Sequence, residues 1–231
     1  MYFVTEHPTP VLNTPHFNKV YGQTLPFDDQ HLVRALEFIA FPGETFNILN
    51  GKEGGILEVI STSYPFHAPL YADCRFGKIT TNPGKEIEKA LPSQETVLER
   101  LCSKVGLPYV WGGNWSTGLS LWEHLYPPPK DLSPFERAHW TLTGLDCSGF
   151  LYEATGGITP RNTSGLMNYG VKISRHDLQP LDVILYPGHN LIVLNTTQLI
   201  ECCHEKGGVV ISSIEERLNE ITLSLTFRRF F

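Results

Sequence analysis

Asp146-Cys147-Ser148-Gly149 starts a helix that runs through Phe150, Leu151 and Ala154 and stops at Gly156-Gly157. Asp146 suits the N-cap, because a short carboxylate accepts from the free N–H groups of the first turn, and this sets Cys147 inside that turn. Downstream the pattern changes period. Leu181–Tyr186, His189–Leu194, Gln198–Cys203 and Val209–Ile211 are short apolar runs of strand length. One helix followed by consecutive strands predicts an α+β domain with an antiparallel sheet. Upstream, Ser93 caps a second helix, with Glu95 and Thr96 in its first turn and Val97, Leu98, Leu101 and Val105 as its apolar stripe. Gly106 closes it, and Cys102 within it reads as a small core residue.

Residues 1–85 have a different texture. Pro8, Pro10, Pro15 and Pro26 punctuate an N-terminal arm or irregular strands. Leu32–Phe41 ends at Pro42-Gly43, and Thr45–Leu49 and Gly55–Ile60 flank a turn signalled by Asn50-Gly51. Tyr64-Pro65-Phe66 and Pro69–Ala72 add aromatic edges. Short strands separated by turns predict a small β-barrel module over about residues 10–80. The polar stretch Thr80–Lys85 is read as the linker, giving domains 1–85 and 86–231. Residues 114–144, with Trp115, Trp122, Tyr126, Phe135 and Trp140, form a long insertion of weak periodicity. They are either a lid or an ordered segment packing its aromatics on a core.

Composition excludes several classes. A chain of 231 residues with a net charge of -6 is globular but too acidic for a protein that relies on phosphate contacts, so no nucleic-acid partner is expected. No stretch approaches the roughly 18 apolar residues of a membrane helix. The N-terminus lacks the basic start and apolar centre of a signal peptide, and five cysteines make no disulfide framework. Both point to a reduced, cytoplasmic protein. Nothing in the pattern indicates an oligomeric state.

Chemistry concentrates around Cys147. A thiol attacks as its thiolate, which the dipoles and unpaired N–H groups of a helix N-terminus stabilise. It needs an imidazole as base and counter-ion, and His189 stands at a strand start after Pro187-Gly188. The third, orienting group depends on hairpin parity. An odd loop before Gln198 puts Glu201 on the face of His189, and an even one puts His204 there. Cys202-Cys203-His204 lacks a second ligand pair at zinc spacing, so no metal is expected. Arg161 either meets a substrate carboxylate or forms an internal salt bridge.

In order and spacing, Leu145–Phe150, Pro160-Arg161-Asn162-Thr163, Leu181–Ile184 and His189 resemble the NlpC family of murein-peptide cysteine peptidases, as does Gly106–Gly113 upstream. The resemblance covers about residues 93–215. It implies a papain-like catalytic domain that hydrolyses the γ-D-glutamyl to meso-diaminopimelate bond of peptidoglycan peptides without a cofactor. It further implies Cys147 as nucleophile, His189 as base and Glu201, twelve residues later, as the third member. Glutamate there departs from the family's commoner histidine. Tyr109, Asp146, Ser148, Arg161 and Thr163 take the substrate-binding positions. The N-terminal part resembles the bacterial SH3-like modules that, in such relatives, select peptides with a free N-terminal L-alanine. An amidase or acyltransferase on the same fold, and a non-catalytic wall-peptide binder, are the rival readings.

Overall fold

The structure, a computed structural model, describes residues 1–51, 53–61, 64, 69–83 and 89–231. Pro65-Phe66 and the boundary at 85/86 lie outside the described residues. The chain forms two compact units, and both are discontinuous: Met1–Glu88 with Val110–Gly144, and Lys89–Tyr109 with Leu145–Phe231. Among the described residues, no helix is long and apolar enough to cross a membrane.

The first unit is built on strands β1 (Tyr2–Thr5), β2 (Thr9–Leu12), β3 (Leu36–Ala40), β4 (Thr45–Gly51), β5 (Ile56–Ser61), β6 (Leu70–Asp73) and β7 (Gly77–Thr80), with the one-turn helix α1 (Phe17–Val20) after β2. They form one antiparallel sheet in the order β3-β2-β6-β5-β4-β1-β7. The N-terminal arm thus supplies two strands. β4 runs on through Asn50-Gly51, and the positive φ angles of the turn fall on Gly54 and Gly55 instead.

The chain then contributes α2 (Gln94–Cys102) to the second unit and returns to the first with β8 (Asn114–Trp115), α3 (Ser120–Leu125) and α4 (Pro134–Thr141). Residues 110–144, which the sequence pattern assigns to the second domain, therefore complete the first. Their aromatics explain why. Trp122, Tyr126 and Trp140 are buried in one cluster with Phe3, Phe17, Tyr21, Phe38 and Phe76. The two indoles donate to the Trp140 and Tyr126 carbonyls, at 2.8 Å each. The Asn114 side chain bonds the Ile39 N–H and C=O, both at 2.8 Å, as another strand would. The segment is an ordered part of a core.

The chain passes from the first unit to the second within β9 (Gly144–Leu145), and the second unit continues through α5 (Cys147–Ala154), α6 (Thr163–Leu166), β10 (Val171–Lys172), β11 (Val183–Tyr186), β12 (His189–Val193), β13 (Gln198–Cys203), β14 (Gly208–Ser213), α7 (Ile214–Glu220) and β15 (Thr226–Arg229). Its sheet has the order β10-β15-β11-β12-β13-β14. Ile184, Leu191, Val193, Leu199 and Leu218 pack α7 on one face. Cys202 turns to the other face and bonds the Leu145 carbonyl at 3.0 Å. In α2, Val97 and Leu101 are buried, but the helix ends at Cys102. Cys102 is exposed and Val105 lies beyond the last turn, so neither is a core residue.

Candidate active site

Cys147 occupies the first position of α5, with Asp146 as its N-cap. The Asp146 Oδ1 accepts from Gly149 N–H at 2.6 Å, which fixes the first turn around the thiol; such a cap contributes about 1 kcal/mol. The carboxylate is held again by Arg161, whose Nη1 and Nη2 donate to Oδ1 and Oδ2 at 3.1 and 2.7 Å. Arg161 Nη1 also donates to Ser148 Oγ at 3.1 Å, and that hydroxyl donates to Asp146 Oδ1 at 3.3 Å. Of the two roles open to Arg161, the geometry is that of the internal salt bridge. Asp146, Ser148 and Arg161, all buried, form one polar brace under the helix start.

The thiol is 3.6 Å from Thr163 Oγ1, at the start of α6, and 3.7 Å from the Gly188 carbonyl. Gly188 has a φ of 89°, a left-handed conformation that costs glycine little. It turns the chain between β11 and β12 just before His189.

Hairpin parity decides the third position. Ile192 pairs with Ile200 and Val193 with Leu199, so five residues, 194–198, separate the last pair. The count is odd. Glu201 shares the His189 face, and the His189 Nε2 and Glu201 Oε2 atoms are 2.7 Å apart. His204 lies past the end of β13, and its ring meets Tyr109 edge-on at 5.3 Å between centroids. Tyr109 is buried. Its backbone is tied to Gly207 and bridges to Leu145 in parallel, two residues before the thiol. This clasp needs Gly208, where a Cβ would stand 1.9 Å from the Leu107 carbonyl oxygen.

Glu201 is fully buried, and a lone carboxylate there would pay several kcal/mol of desolvation. Arg217 on α7 answers it: Nε donates to Oε1 at 2.6 Å and Nη2 to Oε2 at 3.1 Å. Burial raises the carboxyl's pKa, but the His189 and Arg217 hydrogen bonds outweigh it, and the net shift is downward. For His189, burial disfavours the cation, yet the hydrogen bonds and negative charge offered by the Cys147 sulfur and the Glu201 carboxylate together push its pKa up to about 9. With Nε2 committed to Glu201, Nδ1 is the nitrogen left for the thiol. Arg217 is a functional residue that its own stretch of sequence does not reveal. Its signal was the buried glutamate in Leu199–Cys203, whose charge one histidine could not balance.

His189, Glu201 and Cys203 present possible metal-ligand atoms within 4.8 Å of one another. The donor set fits an oriented imidazole better than a cation. An ion would sit against the Arg217 guanidinium, and burial pushes the Cys203 thiol up to about 12, away from the thiolate a metal needs.

Residues 106–226, more than half of the chain, match the NlpC/P60 family. The chain belongs to this family. The NlpC/P60 match spans most of the second unit and carries its mixed helix-and-sheet, papain-like fold class. Peptidoglycan endopeptidase RipB of Mycobacterium tuberculosis is 27% identical over 129 residues, covering 53% of this chain and 48% of RipB. The chain thus spans about half the length of the curated relatives it matches. Among solved structures, the peptidoglycan hydrolase RipB is 26% identical with a TM-score of 0.44, covering 59% of this chain and 63% of that one. An NlpC/P60 family protein from Bacillus cereus is 16% identical with a TM-score of 0.45, covering 99% and 63%.

Proposed function

We propose that this NlpC/P60 protein is a cysteine endopeptidase that cuts the γ-D-glutamyl to meso-diaminopimelate bond of peptidoglycan-derived peptides. The observation that carries the reading is the His189–Glu201 contact of 2.7 Å in the unit that sets Cys147 at a helix N-terminus. Family membership and the endopeptidase name of RipB support the substrate class.

In this reading the Cys147 thiolate attacks the γ-glutamyl carbonyl carbon. The Cys147 backbone N–H and the Tyr109 hydroxyl receive the oxyanion. His189 gives its proton to the diaminopimelate nitrogen as the C–N bond breaks. It then takes a proton from the water whose hydroxide opens the thioester, and as the C–S bond breaks the γ-glutamyl acid leaves, losing its proton to solvent, and the Cys147 thiolate beside protonated His189 is restored. Asp146, Ser148 and Arg161 act as a brace for the helix start, and Thr163 borders the thiol. We read the first unit as an SH3-like module, a reading supported by its seven short antiparallel strands.

The test is mass spectrometry of L-alanyl-γ-D-glutamyl-diaminopimelate, with and without N-acetylation, incubated with the protein and with Cys147→Ala. Release of diaminopimelate by the wild type, lost by about 10⁴-fold or more in the variant, is expected. If the free-amine peptide alone is cut, the substrate is a free turnover fragment. No release from either peptide would overturn the bond assignment, and transfer of the acyl group to added hydroxylamine in place of water would favour the acyltransferase reading.

A further inference from the structure

The Glu201 carboxylate is one of the most deeply buried charges of the second unit, and its principal counter-ion stands on α7, far from Cys147 in the chain. Arg217 is itself buried, and its guanidinium is used on every side. Besides the two bonds to Glu201, Nη1 donates to Glu220 Oε2 at 3.1 Å and Nη2 to the Tyr186 hydroxyl at 3.3 Å. A surface salt bridge would not be built this way, because exposed pairs contribute little and need no such fixing. Nor does the pair serve packing alone: a buried ion pair rarely gains over an apolar one of the same size. What it does supply is a fixed direction for the carboxylate oxygen that faces His189.

We propose that Arg217 is a positioning residue for the Cys147–His189 pair, holding Glu201 ionised and aimed at His189. This rests on the cysteine-hydrolase reading above. Among the described residues, the other charged or titratable groups around Glu201 and Arg217 are Tyr186 on β11, Cys203 on β13, Glu205 and Lys206 in the turn after it, and Glu220 on α7. Asp146, paired with Arg161, and Cys202 stand beside Cys147. Lys206 Nζ lies 3.8 Å from both Glu201 Oε1 and Glu220 Oε2, too far to replace the two guanidinium bonds. Tyr186, Cys203, Glu205, Lys206, Arg217 and Glu220 line a cavity of about 280 Å³. Arg217 forms part of its wall. Truncating Arg217 to alanine would therefore open a path from this cavity to Glu201, wide enough for a free guanidinium ion.

That opening makes the role testable by chemical rescue. Arg217→Ala removes a buried cation, which raises the proton affinity of its neighbours. The pH midpoint for alkylation of Cys147 by iodoacetamide should move up by about one unit. Tripeptide turnover should fall about tenfold or more, the size usual for partners that orient a reacting group. Guanidinium chloride at tens of millimolar, well below denaturing levels, should reverse both changes, while sodium chloride at equal ionic strength should not. Arg217→Lys, with one charge but no fork, should fall between the two. An unmoved alkylation midpoint in Arg217→Ala, or a loss that guanidinium does not reverse in a protein with native circular dichroism, overturns the proposal. Should the alanine variant fail to fold, an alkylation midpoint in Arg217→Lys equal to the wild type's has the same force. The alkylation readout needs no substrate. If the midpoint shifts and is rescued while the wild type leaves the tripeptide intact, the positioning role stands and the substrate assignment fails.

Discussion

Among the described residues, each unit has a carboxylate with no exposed surface, and an arginine and a ring hold each of the two. In the first, the Arg75 Nε–H is shared between the two Asp73 oxygens at 3.0 Å, Arg75 Nη2 donates to Oδ2, the Arg75 backbone N–H donates to Oδ1 at 2.9 Å, and the Tyr126 hydroxyl donates to Oδ2 at 2.8 Å. In the second, Glu201 takes the Arg217 fork, and the His189 ring stands where the phenol stands in the first. The third partner makes the difference. Burial, reinforced by Asp73, pushes the Tyr126 phenol far above its usual range, so it keeps its proton at every working pH and the cluster has one charge state. His189 titrates near 9, so a modest change in its surroundings decides whether it holds or gives up a proton. A buried ion pair is architecture when all its members are locked, and a candidate for chemistry when one is not.

The comparison breaks most sharply at the carboxylates themselves. Glu201→Gln should cost on the order of 10²–10⁴ in kcat, because the imidazole loses the charge that orients it. If kcat holds while stability falls, Glu201 belongs with Asp73. Asp73→Asn should lower unfolding free energy by about 1.5–3 kcal/mol, since the half-exposed Arg75 and the buried Tyr126 lose a charged acceptor, and leave kcat per folded molecule unchanged. Denaturant titration beside active-site counting separates the two effects.

A smaller effect follows from linkage. The folded-state pKa of His189 lies above its ordinary 6.5, so folding favours the protonated form. Its stabilisation is complete below pH 6.5 and disappears as the pH rises through about 9. The wild type should therefore lose stability across that window, and His189→Gln should lack that component of the slope. A wild-type curve parallel to the variant's over pH 6.5–9 would contradict it. The smallest expected change is Tyr126→Phe, about 1–2 kcal/mol from the lost bonds to Asp73 and Arg75, with the pH dependence of activity unaltered.

The site was more legible in the sequence than the division of the chain. A helix start is local, so Asp146 and Cys147 could be assigned from four residues. Period-2 alternation reduced the third position to Glu201 or His204, and only the loop count separated them. Arg217 was hidden because an ion pair sixteen residues long leaves no local pattern. β15 was missed for a similar reason: Arg228 and Arg229 look like surface charge. In the structure, Arg229 Nε and Nη2 bond the buried Asp182 at 2.7 and 2.6 Å, and Arg228 Nε reaches the Met167 carbonyl at 2.8 Å. For residues 110–144, the aromatic content signalled burial, but nothing in their spacing told which core would receive them.

The discontinuity of the first unit has a consequence for how the protein comes into being. Synthesis runs from the N-terminus, and the seven strands of that unit's main sheet are all made before α2 begins. Yet Trp122, Tyr126, Trp140 and Leu142 belong to its core. On the ribosome, the nascent sheet must wait with an unfilled interior while the first helix of its neighbour passes by. The same wiring opposes shuffling by recombination: a gene fragment ending at the nominal linker would encode a sheet without its indoles.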